Sequence, residues 1–127
     1  YAHVSPLRFR ERRLEEDIKR SLQVIGDVVG HTPTLYRPPH GRIRSGQIAV
    51  ARRLGCRVVL WSLMLMDWLP DLTEAELRLR LTHLRGGDII VLHDHAEEQP
   101  RLIAALTAIA EICAERQFTP VTLEQKG

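Results

Sequence analysis

Six aromatic residues in 127 are too few for a surface that reads nucleic acid by stacking on bases. The charge offers no substitute, since 18 basic residues stand against 16 acidic ones for a formal net charge of +2. The early run Arg8-Phe9-Arg10-Glu11-Arg12-Arg13 mixes acid with base and reads as a solvated helix start. No apolar stretch approaches the ~18 residues that a membrane span needs, and no signal-peptide pattern is present. The two cysteines, Cys56 and Cys113, lie far apart with no metal-ligand spacing. They are expected as plain buried thiols and leave the redox compartment open. No Gly-rich loop of P-loop or dinucleotide type occurs, which weakens a phosphate-binding role for Arg37, Arg42 and Arg44. Repeats, linkers and low-complexity segments are also missing. The chain opens Tyr1-Ala2-His3 without an initiator methionine, as expected of a processed product or a fragment.

What is present is a 44% hydrophobic chain with a regular change of period, enough for one domain or part of one. Leu14, Ile18, Leu22, Ile25 and Val29 follow helical spacing up to Gly30. Thr34 to Tyr36 reads as a short strand. Ile48, Ala51 and Leu54 mark a second helix closed by Gly55, and Arg57 to Trp61 a buried strand. Thr73 and Glu76 form a capping box ahead of Leu77, Leu81 and Leu84, with Gly86-Gly87 as the stop. Asp88 to Leu92 is a third strand, Leu102, Leu106, Ile109 and Cys113 a long last helix, and Thr119 to Leu123 a final strand. Apolar strands alternating with amphipathic helices predict an α/β fold with parallel strands. The periodicity leaves open whether four strands make a small open sheet or part of a barrel.

The unusual residues fall after the strands. "LYRPPHGRIR", residues 35–44, places a buriable Arg37 and the imidazole of His40 around Pro38, Pro39 and Gly41. Proline fixes φ and glycine releases the backbone, so the stretch predicts a loop of one defined shape. Asp67 and Trp68 follow the second strand, and His93, Asp94 and His95 the third. In parallel α/β folds the carboxyl ends of the strands share the face that carries the active site. These side chains are therefore expected on one rim, whereas His31 and His83 read as surface residues.

Arg37-Pro38-Pro39-His40-Gly41, then Asp67-Trp68, then Val91-Leu92-His93-Asp94 resemble the third, fourth and fifth motifs of the polysaccharide deacetylases. These are the NodB-homology enzymes of carbohydrate esterase family 4. Their order and spacing agree, and Gly30 to Tyr36 is similar to the family's approach to the arginine motif. Tyr1-Ala2-His3 would be the end of the family's His-Ser/Thr-x-x-His motif. The resemblance covers nearly the whole chain. It implies residues 1–127 are a partial deacetylase domain, like the carboxyl-terminal half of a distorted (β/α) barrel, with the earlier motifs upstream of Tyr1. Three positions depart from the family pattern: Met64 stands where a first Asp often lies, His40 replaces a commoner tyrosine, and Val91 replaces a leucine.

The resemblance also implies roles. A divalent metal, usually zinc, would be bound through His3 and ligands upstream of this chain. His93 would be the general acid, a task suited to imidazole. Asp67 would orient His93, and Arg37 the upstream base. The loop of Pro39 and His40 would meet the substrate, with the His40 N–H facing the developing oxyanion. Trp68 and Val91 would wall the acetyl pocket. The partner would be an acetylated polysaccharide or oligosaccharide, peptidoglycan- or chitin-like, and the setting secreted or cell envelope. A chain of this length is expected to associate with itself or with a preceding segment. The competing expectation is a non-catalytic carbohydrate-binding or scaffold domain derived from such an enzyme.

Overall fold

Helix α1, Glu11–Val29, forms where the apolar period of four and three predicts it. Gly30 closes it in the left-handed conformation, φ 79°, with its N–H donating to the Gly26 carbonyl. The computed structural model of the protein describes residues 5–94 and 99–123. It divides into two compact units, residues 1–60 and 61–127.

In the first unit β1, Leu35–Tyr36, pairs in parallel with β2, Arg57–Val58. Helix α2, Ser45–Arg53, connects them as a parallel crossover requires. Leu14 and Ile18 of α1 pack with Val50, Ala51 and Cys56, flanked by Phe9, Leu22, Tyr36, Leu54 and Val58. Burial pushes the Tyr36 phenol up to about 12, with Asp17 and Cys56 adding to the effect. Gln47 is buried at 2% exposure. Its Nε2 donates to the carbonyls of Pro6 and Phe9 at 2.7 and 3.2 Å, and its Oε1 accepts the Arg44 N–H at 3.1 Å. One amide thus ties the short 3₁₀ turn Pro6–Arg8 to the start of α2 with its own polar groups satisfied.

In the second unit β3, Leu63–Met64, pairs in parallel with β4, Ile90–Val91. Helix α3, Glu74–Leu81, lies between them in sequence, and α4, Gln99–Glu115, follows. Leu65, Leu77, Leu81, Leu84, Ala105, Ala108, Ile112 and Cys113 form the core. At the entry to the strands the Ser62 hydroxyl donates to Asp88 at 2.7 Å and accepts the Ile89 N–H at 3.0 Å. Both cysteines are buried free thiols.

The strands are parallel, as the alternating pattern predicts, but several boundaries differ. The expected buried strand at Arg57 to Trp61 is two residues long, and Leu60 is 44% exposed. Strand β3, unforeseen from the sequence, takes over the apolar run that continues beyond Trp61. Helix α3 ends at Leu81, so Leu84 is buried from the following turn and not from the helix. Helix α4 buries Ala105, Ala108, Ile112 and Cys113 and leaves Leu106 half exposed. Thr119–Leu123 do not form a strand. They leave α4 through Gln117 at φ 56° and, with Pro120 lacking a donor, line a cavity of about 450 Å³.

Candidate active site

The register of β3 and β4 sets Met64 opposite Val91, so the residues just beyond the two strands leave side by side. Asp67 follows β3 and His93 follows β4. The His93 backbone N–H donates to Asp67 Oδ2 at 2.6 Å, and its ring Nδ1 lies 2.9 Å from Oδ1. Both carboxylate oxygens are therefore engaged by one residue. Asp67 is 2% exposed, whereas the His93 side chain is 32% exposed. A carboxylate at that depth needs donors, and the Nδ1–H supplies one. The tautomer inferred from this partner carries its proton on Nδ1, which leaves Nε2 for exchange with a substrate. Trp68 adds a wall, its ring meeting the imidazole edge-on at a centroid distance of 4.6 Å and 77°. Val91 is buried at 4% exposure within β4.

Asp67 is reached through a constrained backbone. Met66 takes φ 59°, a left-handed conformation that costs an unbranched residue about 1–3 kcal/mol and persists only when surroundings fix it. Its carbonyl accepts the Leu69 N–H at 3.0 Å, closing a turn directly after β3. Sequence order had put Asp67 after the strand at Arg57; it belongs to β3.

Arg37 and His40 lie in the first unit, after β1. Pro38 is fully buried and anchors the loop. The Gly41 N–H donates to the Pro38 carbonyl at 3.0 Å across the turn Pro39–Gly41. The defined shape expected of the prolines is present. Its left-handed residues are His40, φ 57°, and Gly41, φ 65°, where glycine alone was expected to depart. The side chain of Arg37 is exposed. His31 and His83 are exposed, as expected. The structure thus brings Asp67, Trp68 and His93 together in the second unit. Arg37, Pro39 and His40 share one loop of the first.

His3 and His95 lie outside the described residues. Among the described residues no three His, Cys, Asp or Glu side chains gather as a metal site. Zinc sites use at least three protein ligands, so the described residues do not make a complete set. No helix among them is long and apolar enough to cross a membrane.

In parallel βα units the carboxyl ends of the strands form one rim, and Asp67 and His93 stand side by side beyond β3 and β4. The family model described as Polysaccharide deacetylase matches residues 1–59. A peptidoglycan-N-acetylglucosamine deacetylase of Bacillus cereus is 27% identical over 125 residues, 97% of this chain and 58% of that protein. A bifunctional xylanase/xylan deacetylase of Cellvibrio japonicus is 30% identical over 94 residues, 74% of this chain and 14% of that protein. Among solved structures, the family 4 carbohydrate esterase from Streptomyces lividans in complex with acetate superposes with a TM-score of 0.84 at 24% identity. That match covers 97% of this chain and 62% of the esterase. The chain is a relative of the polysaccharide deacetylases and shares the α/β fold of carbohydrate esterase family 4. It spans 14% and 58% of the two curated relatives.

Proposed function

We propose that this chain is part of a metal-dependent hydrolase that removes acetyl groups from an N-acetylated polysaccharide of peptidoglycan or chitin type. The observation that carries this reading is the buried Asp67 carboxylate holding His93 by Nδ1 and by its backbone N–H. His93, protonated on both nitrogens, gives its Nε2 proton to the departing amine as the carbon–nitrogen bond breaks. Asp67 stays ionised, keeps the ring in place and stabilises its charged form. By resemblance, Trp68 and Val91 would wall the acetyl methyl, and Pro39 and His40 would bind substrate, with the His40 N–H for the developing oxyanion. Arg37, exposed in this chain, orients the base, a carboxylate that this reading assigns to residues preceding Tyr1. A divalent metal, zinc by resemblance, belongs to the same reading, with His3 as the ligand from this chain; when bound it would polarise the acetyl carbonyl and a water. A purely carbohydrate-binding role would not require a buried carboxylate on one face of an accessible imidazole.

The test is acetate release from N-acetylated glycans by the full-length protein. His93→Ala should lower turnover by ~10²–10⁴-fold, the usual share of general acid catalysis, with metal content unchanged. His3→Ala should deplete metal. Equal metal loss in both variants would make His93 a ligand and not an acid, and a metal-replete wild type that frees no acetate from such glycans would end the deacetylase reading.

A further inference from the structure

Three consecutive carbonyls lead into the Asp67–His93 pair, and every one of them accepts a hydrogen bond. The Leu65 carbonyl takes Nη1–H of Arg80 at 3.0 Å, and the Met66 carbonyl takes the Leu69 N–H at 3.0 Å. The Asp67 carbonyl takes Nε–H of Arg101 at 3.1 Å. Arg80 lies in α3 and Arg101 in α4, so two different helices reach the same three-residue segment. Both bonds are partly buried, where a charged donor to a carbonyl is stronger than a neutral one. Between the two arginine-bound carbonyls sits Met66, the left-handed residue whose conformation sets the direction in which Asp67 leaves the strand.

We infer that Arg80 and Arg101 are positioning residues for the proton-transfer pair. They fix the carbonyls on either side of Met66 and so hold the Asp67 carboxylate square to His93 Nδ1. The inference rests on the deacetylase reading for its consequence in catalysis, though not for its geometry. Ordinary strand-end capping by arginine would satisfy the same carbonyls. It would not need two helices to converge on the one left-handed turn that aims a buried carboxylate. The two bonds end on the Leu65 and Asp67 carbonyls, so they bear on the carboxylate through the backbone. Of the two, Arg101 has the shorter path, because its bond is to Asp67 itself. A shift of the carboxylate by a fraction of a bond length would weaken both contacts to His93 at once.

The test uses the full-length protein and three variants, Arg101→Gln, Arg101→Lys and Arg80→Gln. Two readouts are needed: kcat against KM on an N-acetylated glycan, and the proton resonance of His93 Nδ1–H in histidine-labelled protein. Arg101→Gln should lower kcat about 10-fold to 100-fold, the scale on which misplaced catalytic groups lose rate, with KM within about two-fold. The Nδ1–H resonance should shift or broaden in the same variant. Arg101→Lys, which keeps a charged donor on a flexible stem, should recover part of both, and Arg80→Gln should show the smaller effect of the same kind. A folded Arg101→Gln protein with wild-type kcat and an unchanged Nδ1–H resonance overturns the inference. If Arg101→Gln does not fold, Arg101→Lys and Arg80→Gln decide by the same two readouts. If the wild type releases no acetate, the deacetylase reading fails, and the resonance alone decides whether the arginines hold the pair.

Discussion

At His93 the two ring nitrogens have different surroundings, one facing a buried carboxylate and the other left for substrate, and that asymmetry makes a clean substitution possible. Asp67→Asn keeps the volume but removes the charge and can present an N–H to Nδ1, favouring the other tautomer. Turnover should fall by ~10²–10⁴-fold with KM little changed, since the geometry of the pocket is retained. Steady-state kinetics of the full-length variant checks this, and an unaltered kcat would remove Asp67 from the mechanism. Asp67 and His93 were legible in the sequence because both follow apolar strand-like runs and match a family motif. Gln47 was not, because a glutamine reads as a surface residue until its three partners, at Pro6, Phe9 and Arg44, are seen. The left-handed Met66 and His40 were equally hidden. Their backbone is set by contacts distant in sequence and not by their own preference, which for any residue with a Cβ runs the other way.

Helix starts are the elements whose sequence signal is most local, and α3 shows it. The Thr73 hydroxyl accepts the Glu76 N–H at 3.2 Å, and the Glu76 carboxylate accepts the Thr73 N–H at 2.9 Å. Thr73→Ala should cost about 1 kcal/mol of stability, measurable by denaturant unfolding. The same backbone bond, followed by the Thr73 hydroxyl, holds the Glu76 carboxyl below its ordinary value of 4.5. A depressed carboxyl favours the folded state above the unfolded pKa, and this contribution is lost as pH falls through the lowered folded value. Stability should therefore decline below about pH 4.5, and Glu76→Gln should flatten that part of the profile. An acid limb identical in Glu76→Gln and wild type would show that the box does not couple to pH. Where an element depends on a partner, the sequence was less informative. The face of α4 was expected through Leu102, Leu106, Ile109 and Cys113; Cys113 is in the core and Ile109 packs against it, but packing selected Ala105 and Ala108 and left Leu106 half exposed. Apolar content favoured a strand at Thr119–Leu123, but strands need a neighbour, and pairing is not a local property.

Across the whole chain the alternation of helices with parallel strands could be read from apolar periods alone, and the order of motifs pointed to the family. The apolar stripe of α1, however, runs further than the unit's core. Leu14 and Ile18 are buried, but Val24, Ile25 and Val29 are 46%, 45% and 49% exposed and Val28 is 81% exposed. Four branched aliphatic side chains within two helical turns make a contiguous face of the kind that soluble proteins cover with a partner surface. Its exposure fits the share of the chain in its relatives, 58% of the Bacillus cereus deacetylase and 62% of the Streptomyces lividans esterase. The 127-residue segment produced by itself should therefore self-associate through this face. Ile25→Lys with Val28→Lys should shift it toward monomer, because each charge would have to be desolvated in the contact. In the full-length protein, Ile25→Lys should instead lower stability if a preceding segment covers the stripe there, by the cost of burying an unpaired ammonium. Sedimentation velocity on the segment and thermal unfolding of the full-length variant separate the two cases. A segment that stays monomeric at high concentration, together with a full-length Ile25→Lys variant as stable as wild type, would mean that this face is simply solvated.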